Sequence, residues 1–479
     1  MDKARTLATK IRMPARASLW YAASAVITKG ISMLSTPVFT RLLSPEEYAI
    51  FPLFLSWLGV LGALSSADPS SAAILGGIDK FESDKQGFVK ASLGFNFFIL
   101  IAVCALYFTF SSIFGNFTGL SQVLTLILFL QLFFDLITHH VIALWRFSYR
   151  GAPVLVLNCV TALLTFIIGA ALVKAGGEGR VLGLVFAAGG AALFFLGKII
   201  GFRGSFFDKR VWKYLAASAL PLIPQLLASA AVTVTDKLMI RAYFGNAALG
   251  KYSVAHSLGI SVSFISSALG YALRPWVLRK LGKGGGKEIR KSCDSAISLL
   301  SFVTLLLIAV SPELLRLLAP SSYSDALFAV FPTALSVLPA FASGIITVGF
   351  IHAGKSRLAI LPSVAALIIN VSTNALLFRY FPYTSAAVSA LISSLTCFIL
   401  GSTLYYIKEK RHLFSIKRTA AYFSASLIFG AILFLARGLL TLRIILFLLI
   451  CVLALPSLNV ALSLIKEGDK KEESDESGG

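Results

Sequence analysis

The fold class of this chain can be inferred from residues Leu19–Thr40, whose sequence is LWYAASAVITKGISMLSTPVFT. Lys29 is the only charged residue in this apolar stretch. A helix of about 20 apolar residues crosses the ~30 Å hydrocarbon core of a bilayer, so the stretch predicts a membrane-spanning helix. Similar runs recur along the whole chain and lack the two-residue alternation that is typical of a membrane β-barrel. The sequence therefore predicts an all-α integral membrane protein.

The composition supports the same fold class. Hydrophobic residues make up 57% of the 479 residues and charged residues 14%, whereas a soluble domain carries roughly 25% charged residues. The formal net charge is +21, but the basic residues lie mostly between the apolar runs, where they set topology and meet lipid head groups. We therefore expect membrane lipids, and not nucleic acid, as partners. The five cysteines lack metal-ligand spacing, so we expect neither a metal site nor a cofactor.

Hydropathy predicts about fourteen transmembrane helices. The predicted spans are Leu19–Thr40, Ala49–Ser66, Phe88–Phe114, Leu120–Leu144, Pro153–Val173, Val181–Phe202, Tyr214–Ile240, Leu249–Leu273, Ser292–Leu318, Ala326–Phe350, Leu358–Phe378, Thr384–Ile407, Thr419–Ala436 and Ile444–Leu464. With the N-terminus in the cytoplasm, roughly three-quarters of the Lys and Arg residues fall on the cytoplasmic side. This asymmetry predicts that both termini are cytoplasmic.

The spans suggest a chain of two halves. A weak repeat supports two halves, because Arg41 ends the first span shortly before Tyr48, and Arg241 ends the seventh shortly before Tyr252. The predicted organisation is a cytoplasmic tail (1–18), an N-lobe (19–202), a basic inter-lobe loop (203–213), a C-lobe (214–407), spans thirteen and fourteen (408–467) and a disordered cytoplasmic tail (468–479).

Polar residues at membrane depth are the candidate functional residues, because an ionised group there costs about 2.5 to 3.5 kcal/mol on insertion scales. Lys29 is near the middle of span one, beside a stripe that recurs every four residues: Ser24, Thr28, Ser32 and Thr36. Span seven carries a similar stripe, Gln225, Ser229, Thr233 and Lys237, with Asp236 adjacent. One hypothesis is that the two stripes line a cationic cleft between the halves. The other is that the hydroxyl residues only allow close helix packing.

Three acidic or histidine side chains are candidates for ion or proton coupling. Asp135 and His139 are four residues apart in span four and share a helix face, and such groups form proton relays in membranes. A structural or interfacial role is the alternative for this pair. Asp236 either lines a cavity or forms a structural ion pair. Arg274 precedes Pro275 and Trp276 and either anchors the interface or binds a phosphate.

Motifs of soluble enzymes are absent from the sequence, which contains no Walker A loop, no HExxH pair and no paired catalytic carboxylates in one loop. We therefore do not expect an enzyme. Without a nucleotide site, transport would be driven by an ion gradient, the membrane potential or the gradient of the substrate itself.

Several segments carry a resemblance to a known family. They are TPVFTRLLSPEEY (Thr36–Tyr48), LPLIPQ (Leu220–Gln225), DKLMIR (Asp236–Arg241), YFGNAALGKYSVAH (Tyr243–His256) and ALRPW (Ala272–Trp276). They resemble the corresponding segments of bacterial polysaccharide flippases, the O-antigen and capsule repeat-unit branch of the multidrug/oligosaccharidyl-lipid/polysaccharide (MOP) exporter superfamily. Ala49 departs from the family pattern, which usually has Gly after Glu-Tyr.

The resemblance implies two six-helix lobes plus two C-terminal helices, as in the lipid II flippases. It also implies alternating access around a cationic cavity and residence in the bacterial inner membrane. It implies an oligosaccharide on an undecaprenyl pyrophosphate carrier as substrate, and a polysaccharide polymerase and other assembly proteins as partners. The cavity cations would fall on Lys29, Lys237, Arg41, Arg241 and Arg274.

Two other functions remain as alternatives. A cation-coupled drug exporter would be expected to have an acidic cleft, and the clearly intramembrane acids here are Asp135 and Asp236. A membrane-embedded glycosyltransferase or polymerase would need acidic catalytic residues in a sizeable outer loop, and the predicted outer loops are short.

Overall fold

The structure, a computed structural model, describes residues 2–65, 72–110, 118–219, 223–282, 285–439, 441–446 and 448. Regular structure in this part of the chain is helical, and no strand occurs in it. The predicted all-α fold class is confirmed. The predicted disordered tail at 468–479 and most of the predicted span Ile444–Leu464 lie outside the described residues.

The helices of the first half are α1 Asp2–Leu42, α2 Pro45–Ser65, α3 Ala72–Lys80, α4 Lys85–Thr109, α5 Gln122–Phe147, α6 Gly151–Ala171, α7 Gly176–Ile200, α8 Lys209–Ala219 and α9 Ile223–Gly259. The second half continues with α10 Ser263–Gly282, α11 Gly286–Leu318, α12 Leu327–His352, α13 Ile360–Leu377, α14 Ala386–Glu409 and α15 Ile416–Leu435. Residues 441–446 are also helical.

Eleven stretches of the described chain are long and apolar enough to cross a membrane. One of them, Leu226–Gly270, covers two predicted spans, and the helix inside it is interrupted at Gly245, whose φ is +83°. The first predicted span lies within α1 but is not among the eleven, because its polar stripe lowers its mean hydropathy. The membrane-spanning architecture is therefore confirmed, whereas the count of fourteen stays a prediction.

The packing of its Cα atoms divides the chain into two compact units, Met1–Gly250 and Lys251–Gly479. In the first unit α6 packs against α1 and α7, and α7 also packs against α2 and α5. In the second unit α12 packs against α14, α10 and α11, while α15 packs on α11. The lobe boundaries inferred from sequence stay a prediction, although α1 begins at Asp2, so the residues 2–18 of the predicted tail continue the first helix.

The second unit has an apolar core, and polar contacts at two places attach its C-terminal helices. Asp294 on α11 accepts a hydrogen bond from the Ser415 amide at the start of α15 (3.1 Å), which satisfies a helix N-terminus. Arg443 forms a two-pronged ion pair with Glu313 at 2.5 and 2.7 Å and donates to the Ala309 carbonyl. These contacts hold the helical residues 441–446 and α15 against α11.

The segment predicted as a basic inter-lobe loop is partly helical, since α8 begins at Lys209. Asp208 precedes this helix and accepts a hydrogen bond from the Arg210 amide (2.8 Å). The side-chain hydrogen bond from Arg210 lowers the pKa of Asp208 below its usual value. Lys90 on α4 donates to the carbonyls of Ile200 and Phe202, both at 2.9 Å. Lys90 therefore attaches α4 to the C-terminal end of α7, just before this segment.

Candidate functional site

The first unit contains a polar pocket of about 410 Å³ between α1, α2, α5, α6 and α7. Hydroxyl, amide and charged side chains form much of its lining: Thr28, Ser32, Ser35, Gln131, Asp135, Thr138, His139, Asn158, Thr161, Thr165 and Arg180. The apolar part of the lining includes Phe39, Phe51 and Phe166. Since all five helices except α1 meet the length and hydropathy of membrane spans, the pocket supplies polar groups within a membrane-spanning bundle.

Asp135 and His139 both line this pocket, which agrees with the helix face that their spacing predicts they share. They also line a second, mainly apolar pocket of about 410 Å³, together with Leu58, Leu132 and other residues of α2, α5 and α9. The Asp135 carboxylate accepts a hydrogen bond from Gln131 Nε2 at 2.8 Å. The two residues thus stand between a polar and an apolar space, although their assignment to ion coupling stays a prediction.

The polar stripe on α1 was given two possible roles, lining a cleft and helix packing, and its residues support both. Thr28 and Ser32 line the polar pocket. Ser24 is buried and its hydroxyl accepts a hydrogen bond from Asn158 Nδ2 at 3.0 Å, which joins α1 to α6. Thr36 is buried and donates to the Ser32 carbonyl. One stripe therefore supplies both helix packing and a polar lining.

The predicted cavity cations of the first unit have different surroundings. Lys29 has an exposed side chain and is not among the residues that line either described pocket. Lys237 donates to Ser56 Oγ (2.6 Å) and to the Pro52 carbonyl (3.2 Å) of α2. This lysine therefore connects α9 to α2.

The two predicted arginines of the first unit lie beside the turns that follow their spans. Arg41 is exposed and donates to the Pro37 carbonyl of its own helix (2.9 Å). Arg241 donates to Asn246 Oδ1 (3.0 Å), and its guanidinium occupies the space that a side chain at Gly119 would need. Their role in substrate binding stays a prediction.

Arg274 and Asp236 complete the predicted set. Arg274 is exposed on α10, and its guanidinium lies over Gly344 of α12, where a Cβ atom would be 2.8 Å from Nη2. The missing side chain at Gly344 thus allows the arginine to approach α12. Asp236 is buried, with 3% of its surface exposed. Substrate binding by Arg274 and ion coupling by Asp236 stay predictions.

Arg180 is the charged pocket residue that the sequence did not single out. It was placed in a loop before a span beginning at Val181, but α7 begins earlier, at Gly176, whose φ is +65°. A Cβ atom at Gly177 would collide with the Glu47 carbonyl, so this glycine allows α7 to begin against α2. Arg180 is consequently inside the helix and only 6% exposed.

The Arg180 guanidinium is surrounded by three aromatic rings. Its Cζ atom is 4.2 Å from the ring centre of Phe51, 4.5 Å from that of Phe39 and 5.0 Å from that of Tyr48. Such contacts stabilise a cation through the negative faces of the rings. In the sequence, Arg180 follows a group of three glycines that begins at Gly176. This pattern is not specific enough to predict that three aromatic rings surround the arginine.

A family model described as "Polysaccharide biosynthesis protein" matches residues 15–280, more than half of the chain. The chain belongs to this family. The match covers the helices of the polar pocket, and it confirms the resemblance inferred from the segments at Thr36–Tyr48 and Tyr243–His256. A search of curated protein sequences gives no significant match.

This chain also shares its fold with solved transporters of the MOP superfamily. The lipid II flippase MurJ in an inward closed conformation matches with a TM-score of 0.67 and 15% identity, over 92% of this chain and 99% of that chain. A MOP superfamily transporter from Pyrococcus furiosus, described as having a binding pocket of reverse polarity, matches with a TM-score of 0.59 and 11% identity, over 82% of this chain and 96% of that chain. An inward-facing multidrug resistance MATE transporter gives 0.58 and 13%, over 82% and 96%.

Proposed function

We propose that this chain is a flippase that carries a lipid-linked oligosaccharide across the bacterial cytoplasmic membrane by alternating access. The observation that carries the proposal is a polar pocket inside a membrane-spanning bundle of a chain that belongs to a polysaccharide biosynthesis family. A lipid-linked sugar needs hydrogen-bonding groups along its path, because its hydroxyl groups lose their water in the bilayer. The pocket supplies hydroxyl and amide groups at that depth.

The carrier in this proposal is undecaprenyl pyrophosphate, and the exposed basic residues Lys29, Arg41 and Arg274 are the groups that would meet its phosphates. A guanidinium binds phosphate oxygens in a two-pronged geometry, whereas an ammonium acts as a point charge. A polysaccharide polymerase and other assembly proteins would receive the translocated unit.

Asp135 and His139 are proposed to couple transport to an ion or proton gradient, together with Asp236. The pair lines both pockets of the first unit, so a change in its charge would alter the electrostatics of either space. Intramembrane Asp and His residues commonly carry protons in transporters. The substrate gradient itself is the alternative driving force.

Export of surface polysaccharide in a strain that lacks the gene tests the proposal. We expect the deletion to lose surface polysaccharide and to accumulate the lipid-linked oligosaccharide, and the intact chain to restore export. Lys29→Ala should restore little, while Lys29→Arg should restore part, since the charge is retained. Membrane protein amounts are quantified in parallel.

Two outcomes would contradict the flippase proposal. Unchanged surface polysaccharide in the deletion strain would remove its basis. Increased sensitivity to cationic drugs, without loss of polysaccharide, would instead favour a drug exporter, the activity named for the MATE structures that share this fold.

A further inference from the structure

Residues 201–213, which connect α7 to α8 and include the first turn of α8, lie directly against α4. Trp212 Nε1 donates to the carbonyl oxygens of Ala91 on α4 and of Phe206, both at 3.1 Å. A Cβ atom at Gly94 of α4 would collide with the Phe206 carbonyl, so this glycine allows the close approach. The connection is therefore a built part of the first unit, and its side chains have defined surroundings.

The charges of this connection are unbalanced. Its exposed basic residues are Arg203, Lys209, Arg210 and Lys213, and its acidic residue is Asp208. Asp208 forms an ion pair with Arg210 at 3.0 Å. In the part of the chain that the structure describes, no ion pair involves Arg203, Lys209 or Lys213. Three positive charges are therefore available to an anion at this surface.

The same surface also carries exposed apolar side chains. Phe207 is 64% exposed, and its ring packs edge-on against Trp212 with the ring centres 4.7 Å apart. Phe98 of α4 is 58% exposed and Ile200, the last residue of α7, is 56% exposed. Both helices have the length and hydropathy of membrane spans. The basic residues therefore follow directly on a surface that would face lipid.

The first turn of α8 adds an amphipathic helix to this arrangement. Val211 and Leu215 are buried, whereas Lys209 and Lys213 are exposed. A helix with one apolar and one basic face lies in the plane of a membrane surface. Basic side chains there attract anionic head groups, and aromatic rings occupy the boundary between head groups and acyl chains. A soluble acidic protein would match the charges but not the exposed rings.

We propose that residues 203–213 bind an anionic phospholipid. The charges of Arg203, Lys209 and Lys213 balance its phosphate, and its acyl chains contact Phe207. The bound lipid attaches the connection and the start of α8 to the membrane surface. This inference goes beyond the flippase proposal and does not depend on it.

Native mass spectrometry of the purified full chain tests this site, because it counts the lipids that stay bound. The probes are phosphatidylglycerol and, as the zwitterionic lipid, phosphatidylcholine with the same acyl chains. We expect phosphatidylglycerol to bind at least about fivefold more tightly. The triple variant Arg203→Gln, Lys209→Gln, Lys213→Gln should weaken phosphatidylglycerol binding at least about tenfold and leave phosphatidylcholine binding unchanged.

Two control variants separate a specific site from general attraction. Exchanging lysine and arginine at the same three positions keeps the charge and should retain phosphatidylglycerol binding. Changing Lys287, Arg290 and Lys291 to Gln removes equal charge from exposed residues at the start of α11. This second variant should leave the tightest phosphatidylglycerol binding step unchanged.

The aromatic contact is tested separately from the charge. Phe207→Ser should weaken phosphatidylglycerol binding at least about threefold, because the acyl chains lose an apolar contact. Phe186→Ser is the matched control, since Phe186 on α7 is similarly exposed, at 60%, but lies away from the basic residues in the chain. It should leave the binding unchanged.

Equal affinity for the two lipids would overturn the site, as would phosphatidylglycerol binding that the first triple variant leaves intact or that the α11 variant weakens equally. Glycerol 3-phosphate, a head group without acyl chains, should not displace the lipid. Its displacement of phosphatidylglycerol at equal concentration would indicate a site for free phosphate and contradict a lipid site. Tighter binding of undecaprenyl phosphate than of phosphatidylglycerol would contradict the assignment to a phospholipid.

Discussion

At the scale of single residues, two lysines that the sequence placed in one predicted cleft have different structural roles. Lys237 is hydrogen-bonded to Ser56 Oγ and the Pro52 carbonyl, whereas Lys29 has an exposed side chain. A hydrogen bond that involves a charged group contributes about 1.5–3 kcal/mol. Because solvent weakens the contacts of an exposed charged side chain, folding should depend on Lys237 more than on Lys29.

We predict that Lys237→Met lowers the thermal unfolding midpoint of the detergent-purified chain by several degrees, and that Lys29→Met changes it by less than about one degree. Ser56→Ala should lower the midpoint by less than Lys237→Met, because the Pro52 carbonyl still accepts from the lysine. In the double variant the two effects should not add, since they remove one shared contact. Equal destabilisation by the two lysine variants would contradict this assignment.

The same scale shows what sequence could and could not predict about the site. The spacing of Asp135 and His139 fixed their shared helix face, and both line one pocket. The partners of Lys237 are more than 180 residues away in the chain, so no local pattern contains them. Arg180 was missed because its position depends on where α7 begins, and that start depends on the glycine contact with Glu47.

At the scale of elements, the segment between α7 and α8 is attached to α4 by side chains that the sequence analysis did not single out. Trp212 Nε1 lies 3.1 Å from both the Ala91 and Phe206 carbonyls. Lys90 binds the last carbonyls around the end of α7, which a helix leaves without internal partners. A cation there also interacts favourably with the helix dipole.

We predict that Lys90→Met destabilises this attachment, because two carbonyl groups lose their donor while the apolar contacts of the side chain are retained. The thermal midpoint should fall, and limited proteolysis should cut within residues 203–208 faster than in the unchanged chain. Lys198→Met is the control, as Lys198 lies near the C-terminal end of α7, over the Phe194 ring (4.4 Å). Unchanged proteolysis of the Lys90 variant would show that Trp212 suffices.

Hydropathy predicted most helices because a bilayer requires the same length and apolar content of every span. It describes α1 least well, since the residues that line the polar pocket and bind α6 also lower the apolar content of that helix. The part of the sequence that departs from the general pattern is thus the part that supplies the candidate site, as expected where a function competes with local preference.

At the scale of the whole molecule, the topology depends on how many times the chain crosses the membrane. Eleven stretches qualify as spans. The stretch Leu226–Gly270 contains the interruption at Gly245 and would count twice. The first span in α1 and the last, Ile444–Leu464, would complete fourteen. An even number returns the C-terminus to the side of the N-terminus, and the excess of Lys and Arg between spans predicts that this side is the cytoplasm.

We predict that fluorescent-protein fusions after Gly204 and after Gly479 are fluorescent, because both sites would be cytoplasmic. Alkaline phosphatase should be active when inserted after Asn116 and inactive at the other two positions. The fusion at Gly204 is the internal control, since it tests the first six spans without the second half of the chain.

If the fusion at Gly204 reports the cytoplasm and the fusion at Gly479 reports the outer side, the second half contains an odd number of spans. In that case either the helix does not cross twice around Gly245 or Ile444–Leu464 does not cross, and a further fusion after Gly245 would distinguish the two.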